Sequence, residues 1–299
     1  MENLEIINKL KALDLSTNPS QEVRNYIDKL AWHIVSVKLS SRKTVIMRAR
    51  QNCKGERFTS KCDLTYPPKI KSVLNRANLP NESMFYASTW GKDKFPEPYL
   101  STALESSKWF SDNTTKGIKI ITFGIWQVIK DIKLAAIFHP EGDYNSNQNL
   151  KTIMTYFNNE ISKLSTREQD DTMSIMDFFA NQFAKKVLDG HEYEYLLSAI
   201  FMKFNIERGV DGVLYPSVQM KGEVLNVAIS PEITDSSLEL KEVKEFKIYK
   251  YLDHRILDRE AGTDLYSNQT HFQLSPVQGW GQEECLRRLG LKSIDELTA

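Results

Sequence analysis

Residues 75–88 read NRANLPNESMFYAS. Arg76 and Asn78 stand just before a turn centred on Pro80 and Asn81, and Met84-Phe85-Tyr86 reads as a buried strand. Taken alone, Arg76 is a solvated loop charge. Tyr86 is a core residue with its hydroxyl at the edge. The surroundings decide whether this stretch is an ordinary turn between elements or the rim of a site.

Upstream, residues 1 to about 40 read as helical. Leu4, Ile7 and Leu10 recur at helical spacing, as do Val23, Ile27, Leu30 and Ile34, with Ser20 as the expected N-cap of the second helix. TVIMRAR (44–50) reads as a strand. Residues 51–74 read as loop, stiffened by Pro67-Pro68. Downstream, STALESSKWF (101–110) reads as a helix capped by Ser101, which puts Glu105 in the first turn, where the macrodipole favours an acid. Residues 116–138 hold two strands with a turn near Gly124 or at Lys130-Asp131.

From 150 to 206 the period is helical. Met176, Phe179, Phe183 and Val187 share one face; Tyr195, Ala199, Ile200 and Phe204 share another. DGVLYPS (211–217) and VLNVAIS (224–230) are short strands joined by a loop containing Gly222. In the tail, EFKIYKY is a strand, followed by a loop and a short helix. The order argues for an α+β chain without a long βαβ run. It divides into an N-terminal helical extension (1–43), a main domain (44–231) and a C-terminal extension (232–299) packed on that domain.

The balance of 39 Lys+Arg against 39 Asp+Glu gives no net charge. A general nucleic-acid binder needs a basic excess to neutralise phosphates, so no nucleic-acid partner is expected. The most apolar run, residues 120–138, is broken by Lys130, Asp131 and Lys133, so no membrane partner is expected. No signal peptide opens the chain. Cys53, Cys62 and Cys285 form no CxxC pair and read as reduced thiols, which together with the missing leader points to a cytoplasmic protein.

Most standard motifs are absent. There is no GxGxxG, P-loop or GxSxG, and His191-Glu192 is followed by Tyr195 where HExxH needs histidine. DYNSN (143–147) lacks the glycine and the closing acid of a calcium loop. His33, in an apolar helical stretch, reads as structural or exposed. Each of the remaining polar residues has a plain reading. Ser217 after Pro216, for example, is an ordinary turn residue.

In sequence order, however, these residues resemble the RES domain family. Arg48 lies in an early strand with an R-x-R-like pattern, MRAR. Arg76-x-Asn78 precedes Tyr86 by ten residues. Ala103-Leu104-Glu105 matches the family's helix, and Asp211 to Ser217 match its DG-apolar-apolar-YPS element. Asn226 leads the next strand. FFANQFAKKV and Tyr193-Glu-Tyr-Leu196 fit the same pattern, which spans roughly residues 44–231. This chain departs by Asn75 and Ala77 around the arginine, by Asn81 in place of the turn glycine, and by a longer gap from Tyr86 to Glu105. Asn81 tolerates left-handed geometry nearly as well as glycine.

The resemblance implies an ADP-ribosyltransferase-like fold of mixed, mostly antiparallel β-sheets flanked by helices. It implies that NAD is consumed as a substrate, with attack at the ribose carbon bearing nicotinamide, and that no metal is needed. The residues it marks as catalytic are Arg76, Tyr86, Glu105 and Ser217; those marked for NAD binding are Arg48, Asn78 and Asn226. A guanidinium grips phosphate oxygens through charge-assisted bonds contributing roughly 1.5–3 kcal/mol each. A fixed carboxylate stabilises an oxocarbenium-like transition state more than the ground state. The acceptor is water, phosphate or a protein side chain, and the residues do not choose among them. The resemblance further implies a bacterial toxin paired with an inhibitory antitoxin; a homo-oligomer is the other expected partner. A protein-directed ADP-ribosyltransferase and a catalytically silent nucleotide-binding or interaction module are the alternatives.

Overall fold

The computed structural model describes residues 2–31, 35–41, 44–89, 97–142, 144, 147–217 and 224–298. His33, Ile34, part of DYNSN and Gly222 lie outside them. The strands are β1 (Ser36–Leu39), β2 (Val45–Gln51), β3 (Phe85–Thr89), β4 (Lys116–Val128), β5 (Ile132–Ala136), β6 (Gly212–Pro216), β7 (Leu225–Ile229), β8 (Leu238–Tyr251), β9 (His254–Asp264) and β10 (Ser275–Pro276). The helices used below are α1 (Asn3–Ala12), α2 (Ser20–Ile27), α3 (Glu97–Ser106), α4 (Lys108–Ser111), α5 (Gln148–Ile161), α6 (Thr166–Ala184) and α7 (Leu196–Glu207). The fold is α+β, and its strands pair mostly antiparallel.

The chain forms two compact units, each built from separated segments. Unit 1 comprises Met1–Leu39, Tyr66–Tyr86 and Asp131–Ser236. Unit 2 comprises Ser40–Thr65, Ala87–Lys130 and Ser237–Ala299. The segment 44–231 therefore contributes to both.

In unit 1 the strand order is β1-β5-β6-β7. The β5–β6 pair is parallel, with α5, α6 and α7 in the connection between them, as a parallel crossover requires. The helices bury an aromatic seam in which Phe179 stacks on Phe201 with centroids 3.7 Å apart. The Asp211-Gly212 pair locks the start of β6. Asp211 Oδ2 accepts from Lys133 N at 2.7 Å, and a Cβ on Gly212 would lie 2.2 Å from Ala228 O. Only glycine permits that approach of neighbouring backbones.

In unit 2 the order runs β3-β2-β4-β8-β9-β10. Its core joins Met47, Phe110, Phe123 and Phe246 with Tyr99 and Ala103 of α3. A smaller cluster forms about Tyr249, Cys285 and Leu286. The three cysteines are free thiols. Among the described residues no helix is long and apolar enough to cross a membrane.

Several expectations need correction. Residues 36–39 form a strand rather than continuing a helix: α2 ends at Ile27, and Ser36–Leu39 pair with Leu39↔Ile132 through Ser36↔Ala135. Tertiary pairing here overrides local period. Ser20 is the first helical residue and Pro19 occupies the cap. Ser101 caps nothing; it lies inside α3, and its Oγ donates to Pro98 O at 3.0 Å. The helix starts four residues earlier because Pro98 fits a first turn, where its missing N–H has no partner to lose. Glu105 is consequently in the last turn, not the first. Of the two proposed turns in 116–138, the chain turns at 129–131, and Gly124 is interior to β4. The tail holds two long paired strands, β8 and β9, rather than one strand and a loop. Their Lys/Glu-rich alternate positions make a half-buried strand read as polar.

Candidate active site

Five of the seven candidate residues belong to unit 1: Arg76, Asn78, Tyr86, Ser217 and Asn226. Arg48 and Glu105 belong to unit 2. Arg48 lies on β2 opposite Gly124 of β4. Glu105 is exposed on the last turn of α3, while Tyr99 and Ala103 of the same helix face the core. A carboxylate at a helix C-terminus is set against the macrodipole, so helix stability does not account for it.

The opening stretch folds into a tight turn. Asn75 and Asn78 exchange backbone bonds, N to O at 3.0 and 3.3 Å, which leaves Arg76 and Ala77 at the tip. Asn75 Oδ1 accepts from Arg76 N at 2.7 Å. Asn78 is buried and its amide ties the segment together. Nδ2 faces Ser72 Oγ at 3.0 Å, Val73 O at 2.8 Å and Leu79 O at 3.0 Å, and Oδ1 accepts from Tyr86 OH at 2.8 Å. Tyr86 OH in turn accepts from Ala77 N at 3.0 Å. Asn81 takes φ +63°, the left-handed geometry that its amide side chain makes tolerable. These bonds give Asn78 and Tyr86 one evident task, holding the turn that carries Arg76.

The Arg76 side chain is half-buried and turned inward. Nη1 donates to Phe183 O, and Nη2 donates to Lys185 O at 3.1 Å. Both carbonyls lie at the C-terminal end of α6, where a cation meets orphan acceptors and the negative end of the helix dipole. The guanidinium carbon lies 5.3 Å from the Tyr195 ring centroid and 5.7 Å from that of Tyr215, within cation–π range. Burial, and after it the neighbouring Tyr215, raises the Tyr86 phenol above the ordinary phenol range, although Arg76 pulls the other way. Tyr86 is therefore a neutral hydrogen-bonding group at physiological pH, not a phenolate base.

Tyr215 stands directly across from Asn226 in the β6–β7 ladder, so the two side chains share a face. Ser217, two positions on, is buried, and its N–H donates to Val224 O at 2.8 Å. Arg76, Tyr86, Tyr195 and Tyr215, with Asn226 beside Tyr215, thus form one neighbourhood of unit 1. Sequence reasoning missed Tyr195 and Tyr215 as contributors. Both stood inside recognised pattern elements, the Tyr-Glu-Tyr-Leu and YPS segments, and the only signal was a tyrosine in each. Among the described residues no group of three or more His, Cys, Asp or Glu side chains is arranged to hold a metal. No family model matches the chain, and no curated protein matches it significantly.

Proposed function

We propose that this chain is an NAD-consuming enzyme with an ADP-ribosyltransferase-like fold, which cleaves the bond between nicotinamide and ribose. The observation that carries the proposal is the Arg76 neighbourhood. A guanidinium, three tyrosines, and the Ser217 and Asn226 positions come from four separate segments of unit 1. Evenly scattered surface charges would not require a hydrogen-bonded turn to fix one arginine among aromatic rings. The resemblance to the RES family supplies the substrate. It also supplies the role of Glu105, whose carboxylate stabilises charge developing on the ribose, and that of Arg48 as a phosphate-binding cation. Water as acceptor gives ADP-ribose, nicotinamide and a proton; phosphate gives the 1-phosphate of ADP-ribose and nicotinamide. On this proposal the protein acts as a toxin that depletes NAD, held in check by an inhibitory protein partner.

The test is product identification. Purified protein is incubated with NAD, with and without phosphate, and nicotinamide release is followed. Release that is lost in Glu105→Gln supports the proposal. No release under either condition, from protein stripped of any bound inhibitor, refutes it.

One observation favours a second reading, a catalytically silent module. Arg76 spends two N–H groups on the chain's own carbonyls. That reading predicts no nicotinamide release and, for a module that serves only protein contacts, no binding of NAD, which isothermal titration decides.

A further inference from the structure

We infer that Arg76 is a positioning residue, and that the group it presents to the proposed substrate is Tyr195; the inference rests on the NAD-consuming reading. Arg76 bridges two places that are ten residues apart in sequence. Its guanidinium holds Phe183 O and Lys185 O at the end of α6, and the same group lies against the ring of Tyr195, the last residue of the short 3-10 turn Glu192–Tyr195. The intervening segment 186–191 is thereby pinned at both ends by one side chain. It contains Gly190 at φ +83°, a residue that gives the chain freedom rather than stiffness. Lys185 and Glu194 close the same span with an ion pair of 4.0 Å.

A guanidinium that gripped pyrophosphate directly would present its paired N–H groups to solvent. Here a pair of those groups faces backbone oxygen, and two rings lie against the side chain. Tyr195 is half-buried, as Arg76 is, and it is near enough to Tyr86 to act on that phenol electrostatically. It offers a partly open aromatic surface and a hydroxyl, the combination that suits a nucleotide ring or its ribose.

The test uses the full chain with Arg76→Lys, Arg76→Gln and Tyr195→Ala. Amide hydrogen exchange of residues 184–195 is measured without NAD, and kcat and KM are measured with it. Both Arg76 variants are expected to speed exchange in this segment about tenfold or more, since lysine cannot span two carbonyls. They are expected to lower kcat on the order of 100-fold, with KM for NAD within about threefold, as for a misplaced group. Tyr195→Ala should reproduce the kcat loss and leave the exchange of 184–189 unchanged. Unchanged exchange in Arg76→Gln overturns the inference. So does a lysine variant that keeps full kcat while the glutamine variant loses affinity for NAD, because that pattern marks a direct charge contact. Wild-type protein inert toward NAD removes the proposed function, and the exchange measurement still decides whether Arg76 holds the segment.

Discussion

Replacing Asn78 by alanine tests whether the turn that carries Arg76 is held as described. Asn78 Nδ2 has two hydrogens for its three acceptors, Ser72 Oγ, Val73 O and Leu79 O, so it makes at most two full bonds. With the bond from Tyr86 OH, three bonds are lost. At roughly 0.5–1.5 kcal/mol each the loss is about 1.5–4.5 kcal/mol, and burial of the stranded partners pushes it toward the upper end. That is a large share of a typical net stability of roughly 5–15 kcal/mol. Urea denaturation followed by circular dichroism reads it directly. With a slope of about 2–3 kcal/mol/M, the transition of unit 1 moves down by about 1 M. Asn78→Asp is the paired control. Its carboxylate still accepts from Tyr86 OH but faces two carbonyl oxygens, so it is expected to be at least as destabilising at pH 7. A change in Asn78→Ala below about 0.5 kcal/mol refutes the reasoning. So does an unchanged midpoint with lost NAD affinity, which makes Asn78 a ligand group after all.

Other perturbations probe separate features. Tyr86→Phe frees Ala77 N and Asn78 Oδ1 and should cost about 1–3 kcal/mol in the same denaturation assay. Gly212→Ala forces a Cβ onto Ala228 O and should destabilise by about 1–3 kcal/mol or more, with the loss of exchange protection centred on β6 and β7. Glu245, buried in unit 2 beside Asn52, has its carboxyl raised above the ordinary value, chiefly by burial and against the pull of Arg57. Its folded-state value therefore exceeds its unfolded value. Its unfavourable contribution is absent below the unfolded pKa of about 4.3 and grows as pH rises through the folded one. Glu245→Gln should match wild-type stability near pH 4 and exceed it at pH 8; a gain of equal size at both pH values sinks this account.

Much of the architecture was legible where the code is local. The helical period read over 150–206 is met by three helices, Gln148–Ile161, Thr166–Ala184 and Leu196–Glu207, with Val187 beyond the second and Tyr195 in a 3-10 turn. The apolar runs of β6 and β7 identify themselves without help from the rest of the chain. Asn81 in a Pro-Asn turn announces its positive φ. The start of α3 was misread because Ser101 looks like a cap and Pro98 looks like a breaker, yet both fit helical positions. β8 was cut short because its alternation of leucine and valine with lysine and glutamate hides a half-buried strand. For the candidate site residues, the hydrogen-bond partners that the structure gives them were not legible. Arg76 taken alone reads as a solvated loop charge, yet its partners include two main-chain carbonyls, which leave no trace in side-chain identity.

By itself, the sequence determined where most helices and strands form and that the chain is α+β. Those properties depend on neighbours within a few positions, through backbone period and turn geometry. Only the tertiary structure decided that β4 pairs with β2 and β8 while β5 pairs with β1 and β6. It alone assigned Arg48 and Glu105 to one unit and the Arg76 turn to the other. It also turned NRANLPNESMFYAS into a hydrogen-bonded turn whose arginine holds the end of a helix more than a hundred residues away. Strand pairs form between backbone groups that every residue carries, and the Arg76 guanidinium likewise ends on main-chain carbonyls; the selection of such partners lies in the packing of the whole and not in any stretch of letters.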